Sequence, residues 1–384
     1  MAGLGEQTVT TRNADYWLDA LRGLGIDEPV RIMNVCGGHE RSISVAGLRT
    51  AIPETIELVP GPGCPVCICP EEDVFEAIQL ARNEDIILVA FGDMLRVPVN
   101  APKRDPRSLE QARAAGADIR PIASPSDAVR IARDNPSRSV VFFAAGFETT
   151  TAPVAAMLAE GAPGNLLVLL SGRLTWPAVA LLLDSETPGF DALIAPGHVS
   201  TVMGPEEWEF VVSKHNIPAA IAGFRPDTLL AAMYSVLRQL RDDRRFLDNC
   251  YPEVVRPGGN ALARRQLDTV MEVCDANWRG VGVIPKSGFV LRPEFVAHDA
   301  RQQLPSYADD SRKRVGEMPP GCDCARVVLG KIYPNQCRLY GRACTPRKPI
   351  GPCMVSDEGA CRIWWASGYR ENLWEQEPEQ QSHG

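Results

Sequence analysis

The sequence predicts an α/β protein with two Rossmann-like parallel-sheet domains and a loop-rich C-terminal module carrying many cysteines. Three observations lead there. From about residue 30, short β-branched runs alternate with helical patterns, the signature of parallel β-α units. Nearly every apolar run ends in a segment bearing Cys, His, Glu or Gly, where open α/β sheets gather ligands. Past residue 245 the alternation weakens, and after Met318 the composition turns to Cys, Pro and Gly.

In order, the expected strands are Val30–Val35, Ile56–Val59, Ile86–Ala90, Ser139–Ala144, Asn165–Leu170, Ala192–Ala195 and Ala219–Ala222. Helical patterns fall between them at Glu71–Arg82, Ser126–Arg133, Ala152–Leu158, Trp176–Leu183 and Asp227–Leu240. Two open sheets in series fit the length. A break is expected near Asp118–Ser124, where Pro121, Ser124 and Pro125 interrupt the pattern. The expected division is 29–120, then 121–228, then a third unit made of 1–28 with 229–384. The polar stretch Glu375–Gly384 reads as disordered, and no solenoid repeat is seen.

At 384 residues, 45% hydrophobic and 23% charged, the chain has the balance of a globular protein with sizeable cores. Its net charge of −8 argues against nucleic acid as a partner, and no run is long and apolar enough to suggest a membrane span. No secretion signal is seen, so the cytoplasm is expected, and there the twelve cysteines read as metal ligands or redox thiols rather than as a disulfide framework.

The first strand runs into Cys36-Gly37-Gly38-His39-Glu40, offering a soft thiolate and an imidazole to one metal or substrate atom. The second runs into Gly61-Pro62-Gly63-Cys64-Pro65-Val66-Cys67, whose C-x-x-C spacing suits a reversible disulfide or half of a metal site. Cys69 follows two residues on and reads equally as a buried apolar residue. The run Ser139–Ala144 leads to Gly146-Phe147-Glu148-Thr149-Thr150, where the hydroxyls suit helix capping and Glu148 suits orienting a cysteine or moving a proton. Pro196-Gly197-His198-Val199-Ser200 places another imidazole at a strand end. Neither phosphate-loop nor dinucleotide fingerprint is present.

The C-terminal cysteines are 322, 324, 337, 344, 353 and 361, separated by one, twelve, six, eight and seven residues. Without C-x-x-C pairs, this scatter favours an iron–sulfur cluster over a zinc ribbon; four thiolates would serve a [4Fe-4S] cluster and leave two for a disulfide.

Together these motifs resemble the HypD family of [NiFe]-hydrogenase maturation factors over nearly the whole chain. The likeness includes Tyr251-Pro252-Glu253-Val254-Val255-Arg256-Pro257, Gly321-Cys322-Asp323-Cys324 and the segment from Gly351-Pro352-Cys353 to Gly359-Ala360-Cys361. The resemblance implies a scaffold and electron-transfer component for assembly of an Fe(CN)2CO unit, working with a HypC-like chaperone and a HypE-like cyanide donor. It implies Cys36 as iron ligand with His39 nearby, Cys64 and Cys67 as a redox dithiol, Cys322, Cys337, Cys344 and Cys361 as cluster ligands, and Cys324 with Cys353 as a disulfide beside them. Glu40-Arg41 stands where the family motif usually continues Thr-His. The alternatives are an iron–sulfur thiol–disulfide oxidoreductase acting on a partner through Cys64 and Cys67, and a zinc-stabilised binding module. Anaerobically purified protein is expected to be brown and to contain iron and acid-labile sulfide; stoichiometric zinc without iron would remove the cluster.

Overall fold

The structure is a computed structural model that describes residues 12–102, 104–307 and 318–374. Residues 1–11 and the polar stretch Glu375–Gly384 lie outside the described residues. Eleven strands are described: β1 Val30–Asn34, β2 Ile56–Pro60, β3 Ile86–Phe91, β4 Ile119–Ile122, β5 Ser139–Gly146, β6 Leu166–Gly172, β7 Ala192–Pro196, β8 Ala219–Ala222, β9 Leu247–Asn249, β10 Met271–Trp278 and β11 Gly282–Leu291. They form a five-stranded parallel sheet ordered β2-β1-β7-β8-β9, a four-stranded parallel sheet ordered β4-β3-β5-β6, and an antiparallel hairpin of β10 with β11.

The two sheets are therefore not in series, as the sequence suggested. The chain leaves the first sheet after β2, builds the whole of the second, and returns so that β7 pairs with β1. A strand covered on both faces reads as a continuous apolar run whichever neighbour it takes, so periodicity cannot reveal this interleaving. The divisions at 120 and 228 do not coincide with the sheets. Pro121 lies in β4, an edge strand where a missing donor is tolerated. Ser124 caps the helix Pro125–Asp134 in a reciprocal capping box with Asp127, and Pro125 takes its first turn. These residues punctuate a β-α unit and do not end a domain.

The helix Pro226–Arg241 spans the expected boundary at 228 and covers the first sheet. Against it lies the helix Ala14–Arg22, whose fully buried Trp17 contacts Tyr234 at a centroid distance of 5.4 Å. The N-terminal helix thus shares the first sheet's core, not the core of the C-terminal module.

The cysteine module is loop-rich, its helices being the short segments Cys324–Val328 and Ala360–Ala366 with single turns between them. Among the described residues it has no core of its own. One continuous cluster runs from Leu88, Val141 and Phe143 of the second sheet, through Cys64, Cys67 and Trp278, to the C-terminal cysteines and Trp364. Among the described residues no helix is long and apolar enough to cross a membrane.

The C-terminal helix is tied to the first sheet by a polar hub. Glu40 is 2% exposed, yet its carboxylate accepts from Asn34 Nδ2 at 3.1 Å, Arg49 Nη2 at 2.8 Å and Trp364 Nε1 at 2.7 Å. A buried carboxylate is tolerable only when so many donors replace water. Trp364→Phe keeps an aromatic ring, smaller than the indole, and removes the Nε1 donor. The expected cost is about 1–3 kcal/mol, read as a lower urea midpoint of unfolding.

Candidate functional site

In an open α/β sheet the crevice for a ligand opens where the strand order reverses. In the first sheet that point lies between β1 and β7, whose carboxyl ends carry Cys36 and His198. Cys36 is the N-cap of the helix Gly37–Val45, with extended backbone. The adjoining turn after β2 is laced to it: the Gly37 N–H donates to Gly63 O at 3.1 Å, and the Gly61 N–H to Asn34 O at 2.8 Å. A Cβ on Gly63 would stand 2.4 Å from the Cys36 Cα and N, so only glycine allows this approach. Cys64, the next residue, is joined to Cys67 in a disulfide, and both are buried. The structure thus brings Cys36 and the C-x-x-C pair together.

Burial, with Glu358 adding to it, pushes the half-buried Cys36 thiol up to about 12, while the amides of His39 and Gly38 at the helix start pull the other way. Glu358 reaches this place from the loop between Cys353 and Cys361; a Cβ on Gly37 would lie 2.4 Å from its carbonyl oxygen. The loop is fixed by Ser356 Oγ, which donates to Asp93 Oδ2 at 2.8 Å at the end of β3.

His39 is fully buried. Burial takes its pKa down to about 4, and Nε2 lies 3.0 Å from Ala222 O. The ring is therefore neutral with its proton on Nε2, and Nδ1 is a buried lone pair without a partner among the described residues. Phe224 packs between the two imidazoles, 4.9 Å from His39 and 4.0 Å from His198 by ring centroids.

Glu148 stands apart from this group in its bonding. It is fully buried, and its two oxygens accept from the Thr175 N–H and Oγ1, each at 2.6 Å. Burial raises its pKa to about 7 despite those bonds. Burial and Glu148 together raise Glu207 well above the carboxylate range. Cys69 is a free buried thiol 3.6 Å from Ser171 Oγ, pushed up to about 12 by burial, then by Asp73.

Among the C-terminal cysteines, the sulfurs of Cys324, Cys353 and Cys361 all lie within 4.8 Å of one another. Cys322 Sγ is 3.3 Å from Cys324 Sγ, and a Cβ on Gly351 would come within 2.5 Å of both. Burial pushes Cys337 and Cys344 up to about 11, and the charges of Cys322 and Cys324 reach both. A donor set made only of thiols, closed over by a glycine, fits a soft, thiophilic iron–sulfur group. Cys324 and Cys353, expected as a disulfide, are free thiols here, and Cys361 packs with both of them.

Sequence reasoning missed Phe224, Glu358 and the role of Glu40. Glu358 lay within a motif singled out for its cysteines, and Glu40 within the departure from the usual Thr-His; Phe224 gave no signal beyond standing after a strand end.

A family model described as "HypD: Hydrogenase formation hypA family" matches residues 14–368. The hydrogenase maturation factor HypD2 of Bradyrhizobium diazoefficiens is 39% identical over 351 residues, which is 89% of this chain and 90% of that one. The HypD factor of Rhodobacter capsulatus is 40% identical over 350 residues, covering 90% and 91% of the two chains. That of Escherichia coli K12 is 38% identical over 354 residues, with the same coverage of 90% and 91%.

Because the folded pKa of Glu148 lies above its ordinary 4.5, its contribution to stability is complete below that value and is lost as pH rises through about 7. Between pH 5 and pH 8 the parent is expected to lose about 1–3 kcal/mol more than Glu148→Gln, measured by urea unfolding at each pH.

Proposed function

As the chain belongs to the HypD family of hydrogenase maturation factors, we propose that it is the scaffold on which the Fe(CN)2CO unit of [NiFe]-hydrogenases is assembled, with Cys36 holding the iron as cargo. A role in hydrogenase maturation follows from the family itself. The finer reading rests on one observation: Cys36 lies at the sheet's reversal point with its backbone against Gly63, the residue before the Cys64–Cys67 disulfide.

Cys36 heads the nine-residue helix Gly37–Val45, whose Gly38 and His39 amides favour negative charge at its sulfur, and this suits an iron bearing anionic cyanides. With its pKa raised, the thiol is protonated at neutral pH and gives up its proton when iron binds. Glu358, whose own pKa burial raises, is the carboxyl beside it that can accept that proton. His39, neutral and fixed to Ala222, presents a lone pair rather than a charge. Phe224 and His198 wall the crevice and limit water. Glu148 serves the frame by orienting Thr175 between the second sheet and the following helix.

Cys322, Cys337, Cys344 and Cys361 would hold a [4Fe-4S] cluster, with Cys324 and Cys353 as the neighbouring redox pair. When bound, such a cluster supplies electrons one at a time. Cys64 and Cys67 interchange disulfide and dithiol beside Cys36. Their burial, at 4% and 2% exposure, keeps a partner protein's disulfide out of reach and speaks against the oxidoreductase alternative. A HypC-like chaperone shares the iron and a HypE-like protein delivers cyanide, in the cytoplasm.

Anaerobic protein co-purified with its HypC-like chaperone is expected to show infrared CN and CO stretches, and Cys36→Ala is expected to lose them. Full assembly of the iron unit on Cys36→Ala would overturn the role given to Cys36.

A further inference from the structure

Arg279 follows β10 and is 2% exposed. Only one of its guanidinium nitrogens is paired: Nη2 donates to Pro98 O at 2.6 Å and to Glu71 Oε2 at 3.2 Å, whereas Nε and Nη1 are buried without a partner among the described residues. The residue is wedged between the two cysteine regions. Its backbone N–H donates to Ile68 O at 2.9 Å, immediately after Cys67. On the other side, a Cβ on Gly280 would stand 2.7 Å from the Ala325 Cβ, next to Cys324. The charge of Arg279 reaches Cys69 in one region and Cys322 in the other.

A buried cation with idle donors is unfavourable unless negative charge appears near it. Reduction supplies that charge. When the Cys64–Cys67 bond breaks, two electrons enter, and uptake of one proton leaves one thiol and one thiolate. We propose that Arg279 is a positioning residue for electron transfer: its half-paired guanidinium stabilises the reduced, more negative state of the Cys64–Cys67 pair and so sets its reduction potential. Glu71, the single carboxylate paired with Arg279 among the described residues, tempers this effect. The inference rests on the reading of Cys64 and Cys67 as a redox dithiol.

The test equilibrates the full chain in mixtures of a dithiol reductant and its disulfide. The reduced fraction of Cys64–Cys67 is read by alkylation and mass spectrometry, and circular dichroism checks the fold. Arg279→Gln is expected to lower the equilibrium constant for reduction at least tenfold, a shift of about 30 mV to more negative potential. Arg279→Lys, which keeps the charge, is expected to stay within about threefold of the parent, taking a tenfold change as the effect sought. Glu71→Gln leaves the cation less compensated and is expected to raise the constant, a change of sign that simple loosening of the structure would not produce. Failure of the parent pair to reduce at all would overturn the redox reading, and this inference with it. A parent that reduces, with Glu71→Gln unchanged or shifted the same way as Arg279→Gln, would overturn the role of Arg279 alone. An equal shift in Arg279→Lys and Arg279→Gln would do the same.

Discussion

At Gly63 the chain passes so close to Cys36 that even a methyl group would sit 2.4 Å from the Cys36 Cα and N. That contact fixes the spacing between a half-buried thiol and a disulfide carried on a neighbouring strand end. The parallel pairing of β1 with β2, in register from Val30 with Ile56 to Asn34 with Pro60, delivers both turns to the same edge. Two backbone hydrogen bonds then close the gap. A side chain at Gly63 would push the turns apart, and the chemistry would lose its geometry before any reactive atom had been altered.

The C-terminal module completes this arrangement from above. It shares one buried core with the second sheet and the C-x-x-C turn, so its cysteines cannot move as a free domain. Two polar anchors hold it: Trp364 on Glu40 at the first sheet, and Ser356 on Asp93 at the end of β3 in the second. Glu358 is carried by the same loop. Glu40, the residue that departs from the usual family motif, has become the joint between the Cys36 helix and the last helix.

Much of the fold was legible because a strand buried on both faces announces itself as an apolar run; all seven expected strands fall within two residues of those observed. The strands that escaped notice lack that signal. β4 contains Arg120 and Pro121 at a sheet edge, β9 has three residues, and β10 and β11 mix exposed and buried positions along a two-stranded hairpin. At the site, Cys36, His39, Cys64 and Cys67 were readable because their residue types and strand-end positions both point to chemistry. Glu40, Glu358 and Arg279 were not, since each acquires its meaning from a residue far away in sequence: Trp364, Cys36 and Glu71 respectively.

The interleaved strand order bears on how the protein comes into being. β1 and β2 leave the ribosome early, but the neighbour that covers the inner edge of β1 is β7, and the Arg31 N–H waits for Asp191. The second sheet must be synthesised, and can fold, in the interval. Until β7 arrives, a nascent chain exposes an unpaired β1 edge and open access to Cys36, Cys64 and Cys67. The long loops to be closed make the last steps slow. Shielding of Cys64 and Cys67 is thus a late, tertiary event, since the buried core that holds them is completed by residues as far along the chain as Trp364.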